Sequence, residues 1–124
     1  MSLDEFELKI VSGANVISRL VVKRGFSPRV FSALSSSPPK IGVVGIGDTY
    51  VYLSMGLKIR VERVLTEASA GDVGYSPRFQ GLVFFISDSL DCRFLNTALV
   101  GKLVPPWDGI KYLREGDVVS VTRV

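Results

Sequence analysis

A chain of 124 residues, 47% of them hydrophobic and seven of them Phe, has the apolar mass for one real core and too little length for two domains. It contains no histidine and one cysteine, Cys92, which excludes Ser-His-Asp and Cys-His nucleophilic sites, imidazole metal sites, cysteine-rich zinc sites and an internal disulfide. The net charge of +3 comes from 15 basic and 12 acidic residues scattered along the chain, with no concentrated basic stripe of the kind nucleic-acid binding uses.

Met1 is followed by Ser2, Asp4 and Glu5, the reverse of a secretory leader, and no run approaches the roughly 18 to 20 apolar residues of a membrane span. The expectation is a cytoplasmic protein, one domain over residues 1–124, with no membrane or nucleic-acid partner, no cofactor and no metal.

Phe6, Leu8 and Ile10 alternate with Glu5, Glu7 and Lys9, the period-two signature of a half-buried strand. Ser12-Gly13-Ala14-Asn15 reads as a turn, after which Val16, Leu20 and Val22 continue the apolar face and complete a hairpin. Ile17 and Val21 then face outward. Ser27 suits an N-cap, Pro28 the first helical position, and Phe26 a staple onto Phe31; Val30, Phe31 and Leu34 share one face. Ser35-Ser36-Ser37-Pro38-Pro39 ends that helix.

Strand signals return over residues 41–64. Gly45-Ile46-Gly47-Asp48 forms a hairpin turn between Ile41-Gly42-Val43-Val44 and Thr49-Tyr50-Val51-Tyr52-Leu53. It lacks the third glycine and the helix of a dinucleotide fingerprint. Leu57, Ile59 and Val61 alternate with Lys58, Arg60 and Glu62, predicting a further strand. Residues 66–70 are an exposed connection. Leu82-Val83-Phe84-Phe85-Ile86 is apolar on both faces, as is the stretch 98–104, so both predict strands buried from two sides.

Asp88, Asp91 and Cys92 lie close together, in a pattern that fits strand-end turn chemistry better than a cation site. Trp107, Ile110 and Leu113 face inward from a short helix over 107–115, with Gly116 as its cap, and Val118, Val119 and Val121 make the last strand. Seven or eight strands in so small a domain favour closure, which removes exposed edges.

The second half resembles the cyclophilin superfamily. The residues that carry the resemblance are Leu82-Val83-Phe84-Phe85-Ile86, Ser89-Leu90-Asp91, Leu99-Val100-Gly101-Lys102-Leu103-Val104 and the helix from Trp107. Gly71-Asp72-Val73-Gly74-Tyr75-Ser76-Pro77 and residues 108–117 are similar to small prokaryotic cyclophilin-like proteins of uncharacterised function. The resemblance implies a mainly β fold: a cyclophilin-like closed barrel of about eight strands, with two short helices capping its ends. The Phe84-Phe85 strand and the Gly101-Lys102 strand are then expected to be neighbouring staves.

Isomerase chemistry must lower a barrier of about 18 to 20 kcal/mol, and the family places an arginine at the twisting amide to do so. The corresponding stretch, residues 41–55, has no Arg or Lys. Val83 stands where the family has glutamine, Thr97 where it has histidine and Ser89 where it has tryptophan, so no catalytic residue is assigned. Phe85 and Leu90 keep the apolar floor and wall. Arg60, Arg78 and Arg93 are the arginines that could substitute.

Aromatic groups with polar tips suit peptides or flat small molecules. Tyr50, Tyr52, Tyr75, Phe79, Phe94 and Trp107 form such a set. The expected groove comprises Tyr50, Tyr52, Arg60, Tyr75, Arg78, Phe79, Phe85, Leu90, Phe94 and Thr97. Three functions follow: a non-catalytic binding domain for an extended peptide or small ligand, a divergent peptidyl-prolyl isomerase, or a self-associating structural protein that buries exposed aromatics and outward Ile17 and Val21 against another copy.

Overall fold

The computed structural model describes residues 4–36, 40–61 and 63–124. Met1 and Ser2, Ser37 to Pro39 of the expected helix stop, and Glu62 of the expected strand lie outside the described residues. Eight antiparallel strands close into a barrel: β1 (Glu5–Ser12), β2 (Asn15–Lys23), β3 (Lys40–Ile46), β4 (Tyr50–Ser54), β5 (Asp72–Ser76), β6 (Gly81–Phe85), β7 (Ala98–Leu103) and β8 (Val118–Arg123). Around the barrel their order is β1-β2-β7-β5-β6-β4-β3-β8. The architecture is mainly β, as expected, and closure leaves no free strand edge.

The expected adjacency of the Phe84-Phe85 and Gly101-Lys102 strands is corrected by this order: β5 lies between β6 and β7. Val73 and Tyr75 alternate along it with Asp72, Gly74 and Ser76, and all five residues are buried.

Inward side chains of β1 and β2 are Phe6, Leu8, Ile10, Leu20 and Val22. Val16, assigned to this face from sequence, is 48% exposed. A register shift after Ile10 pairs Val11 with Val16, and one extra residue in one strand flips every side chain beyond it. Ile17, expected outside, packs against the core instead.

One α-helix, α1 (Pro28–Ser36), buries Val30, Phe31 and Leu34 as its spacing predicts. The carbonyl of Ser27 accepts from the Phe31 amide at 2.9 Å. Phe31 meets Phe6 edge-on, with ring centres 5.0 Å apart, instead of the expected Phe26. Arg123 donates to the Ser35 carbonyl at 3.1 Å, a cation at the negative end of the helix.

At the other end of β2, the expected second helix is a 3₁₀ turn over Asp108–Tyr112, whose Gly109 backbone rests on Ile17. Ile110 and Leu113 are buried and Trp107 packs on the core. Gly116, with a φ of 88°, turns the chain toward β8.

Residues 57–61 are extended but pair with no strand. Leu57, Ile59 and Val61 still pack on the core while Lys58 and Arg60 are exposed. The alternation correctly reports two faces. It does not report a hydrogen-bonded neighbour.

Candidate functional site

Every second residue of β4 points away from the barrel interior. Tyr50 stands opposite Phe85, and Tyr52 opposite both Val83 and Gly45. A β-carbon at Gly45 would fall 2.0 Å from Cζ of Tyr52, and one at Gly47 would fall 2.2 Å from Cζ of Tyr50. The two glycines therefore let both tyrosine rings lie down across β3 and its turn.

The tight turn between β5 and β6, where the Gln80 amide donates to the Pro77 carbonyl at 3.3 Å, carries Arg78 and Phe79. Phe79 stacks on Tyr52 with ring centres 3.8 Å apart and planes 11° apart. Tyr50 completes the cluster, 6.2 Å from Phe79 and 6.4 Å from Phe94. Tyr50, Tyr52, Phe79 and Phe94 thus make one aromatic platform on the outer wall. Each such pair contributes about 0.5 to 1.5 kcal/mol beyond area burial.

Beneath the platform is a second, smaller apolar cluster outside the barrel: Ala68, Val83, Phe85, Cys92 and Leu95, with Leu65 at its edge. Phe85, expected to line an open groove, is instead fully buried in this cluster, its ring covered and not open to a ligand. Phe94, 59% exposed, offers the most open ring.

Arg78 lies at the rim. Its guanidinium carbon is 5.8 Å from the Phe79 ring centre, and Nη1 donates to the Phe94 carbonyl at 3.3 Å. Partial burial pushes the Tyr50 hydroxyl pKa above its ordinary value, against the opposing pull of Arg78 and with smaller contributions from Tyr52 and Asp48. Tyr50 therefore stays a neutral phenol donor through the physiological range, beside one cation.

Four of the expected groove residues lie elsewhere. Tyr75 is fully buried in the main core, because β5 turns its odd-numbered side chains inward. Its hydroxyl donates to the Leu57 carbonyl and accepts from the Ile59 amide at 2.9 Å, and burial raises its pKa. Thr97 is buried with its methyl against Gly74. Leu90, 90% exposed, borders a hollow with Glu67, Asp72, Asp88 and Ser89. Arg60 leaves the platform and lines a cavity with residues 25–29. Trp107, in the wider aromatic set, sits on the core under Lys111.

The loop carboxylates are used locally. Asp88 accepts from the Ala70 amide at 2.8 Å, and Asp91 receives the Arg93 backbone and guanidinium, the latter at 2.8 and 3.0 Å. Those bonds hold the Asp91 pKa down to about 2. Cys92 points inward, its thiol 3.6 Å from the Leu65 carbonyl, and burial pushes its pKa up. No metal-ligand cluster occurs among the described residues. No helix among them is long and apolar enough to cross a membrane.

Sequence reasoning found the four platform rings and Arg78 but read Gly45 and Gly47 only as turn residues. A Gly-X-Gly facing a Tyr-X-Tyr across one hairpin is the signal that rings lie flat over the glycines.

No family model matches the chain, and no curated protein matches it. Among solved structures, it is similar to the solution structure of the hypothetical protein AF2241 from Archaeoglobus fulgidus, with a TM-score of 0.76 and 17% identity over 98% of this chain and 96% of that one. At that identity the likeness is one of fold, and it extends over the whole barrel.

Proposed function

We propose that the protein is a non-catalytic binding module, a cyclophilin-like barrel whose outer-wall platform of Tyr50, Tyr52, Phe79 and Phe94 holds an extended peptide or a flat small ligand. The observation that carries this reading is the platform itself: four contiguous rings on the outside of a closed barrel, the most open of them at Phe94. A closed barrel offers no edge strand for β-addition, so a peptide must be read by side chains. Aromatic grooves of that kind favour proline-bearing extended segments, whose conformation is already restricted. The rim guanidinium of Arg78 adds a donor for a peptide carbonyl.

Fluorescence anisotropy with a labelled hexapeptide carrying an aromatic-proline pair tests this. Saturable binding, weakened at least tenfold in Phe79→Ala and in Phe94→Ala, is expected. No binding at millimolar protein would end it.

A divergent prolyl isomerase is the second reading, favoured by the placement of Arg78 beside the rings. Its check is a protease-coupled proline-peptide assay at high protein concentration. A rate above buffer that Arg78→Gln abolishes would support it, and a rate equal to buffer would remove it.

A further inference from the structure

Away from the platform, the chain leaves β2 through Gly25, Phe26 and Ser27 and enters α1 at Pro28. Against this corner lies the extended segment that follows Ile59. The two enclose a cavity of about 290 Å³, lined by Gly25, Phe26, Ser27, Arg29, Arg60 and Arg63 among others. That is at the lower end of small-molecule sites, which run from roughly 300 Å³ upward.

Three arginines from two separate stretches of chain line one small cavity. Neither Arg60 nor Arg63 makes an ion pair or side-chain hydrogen bond among the described residues. Lys58 lines an adjoining hollow that shares Arg60. Several basic side chains elsewhere are paired: Arg93 with Asp91, Lys102 with Asp72, Arg24 with Asp4, and Arg123 with the Ser35 carbonyl.

We infer that this cavity binds the phosphoryl group of a small phosphorylated molecule, held by Arg60 and Arg63 with Arg29 alongside. A guanidinium is planar and presents paired N–H donors that match two oxygens of a phosphate, and it stays charged at any physiological pH. Three guanidinium groups lining one small cavity match a dianion better than a single carboxylate. Phe26, 38% exposed at the cavity wall, gives a flat apolar face for the remainder of the molecule.

Amide-resolved NMR titration of the full chain with inorganic phosphate, adenosine 5′-monophosphate and adenosine tests the inference. Inorganic phosphate should shift the amides of Phe26, Ser27, Arg29, Arg60 and Arg63 saturably in the millimolar range. The nucleotide should do so at lower concentration, whereas adenosine should leave them in place. If phosphate shifts these amides and the nucleotide binds no tighter, the site takes free phosphate, and the inference of a phosphorylated molecule fails.

Arg60→Gln with Arg63→Gln should weaken nucleotide binding at least tenfold, while Arg19→Gln with Arg114→Gln, an equal loss of charge elsewhere, should not. Arg60→Gln alone, with a threefold or greater loss, serves if the double variant fails to fold. Shifts spread without saturation over basic residues generally, or equal losses in the Arg60/Arg63 and Arg19/Arg114 variants, would overturn it.

Discussion

Single residues carry two effects that can be read separately. Asp91 is held ionised by the Arg93 guanidinium and amide, so its pKa lies at about 2, below the usual carboxylate value. A carboxyl depressed in the folded state stabilises the fold above its unfolded pKa, and that contribution disappears as pH falls through the folded value. The effect is therefore complete near neutrality and lost between about pH 4 and pH 2. Carbon-detected NMR of the Asp91 carboxyl should give a midpoint near 2, moving toward the ordinary value in Arg93→Gln; an unchanged midpoint would show that Arg93 is not the cause.

Tyr75 fastens residues 57–59 to the barrel through one donated and one accepted bond. Tyr75→Phe leaves the Leu57 carbonyl and the Ile59 amide short of a partner. The expected cost is about 1 to 3 kcal/mol by urea denaturation. Faster hydrogen exchange concentrated at the Ile59 amide should accompany it, and uniform exchange would count against the fastening role.

Among the elements, the β3–β4 hairpin was the most legible, yet its purpose was half hidden. Turn chemistry placed the reversal at residues 45–48, but β3 runs on through Gly45 and Ile46, which pair with Tyr52 and Val51, so the reversal falls at 47–49. What the pattern of residue types could not convey is that a glycine can serve a ring on the facing strand. Gly45→Ala should push Tyr52 off Phe79 and cost about 1 to 3 kcal/mol. In a Tyr52→Ala background the same change should cost far less, and a double-mutant cycle without such coupling would contradict the packing described.

The misread elements share a physical cause. Residues 57–61 alternate because an extended chain on a core exposes every second side chain, whether or not it joins a sheet. β5, into which Asp72 leads as expected, alternates as well, but its outer face is covered, so its alternation does not divide core from water. Residue type alone does not tell Tyr75, inside the barrel, from an outward ring such as Tyr50.

For the whole molecule, closure depends on strands approaching closely enough to complete the ring. A β-carbon at Gly101 would lie 1.9 Å from the Val21 carbonyl oxygen, so the β2–β7 junction tolerates only glycine there. Gly101→Ala should cost about 3 kcal/mol, measured as a lowered denaturant midpoint; a midpoint equal to that of the parent would mean the junction is looser than described. Strand number and the inward apolar sets were legible because period two survives wherever one face meets water. The strand order was not, since no local pattern specifies which buried strand lies beside which.

Closure also decides where recognition can occur, because it leaves side chains on the outer wall as the means of holding a peptide. The most direct measurement is a map of amide and aromatic-ring shifts as the aromatic-proline hexapeptide is added to the isotope-labelled protein. Saturable shifts gathered on Tyr50, Tyr52, Arg78, Phe79 and Phe94, with Tyr75 unmoved inside the barrel, are expected. Shifts elsewhere with the platform silent, or none at millimolar peptide, would contradict the assignment of this surface.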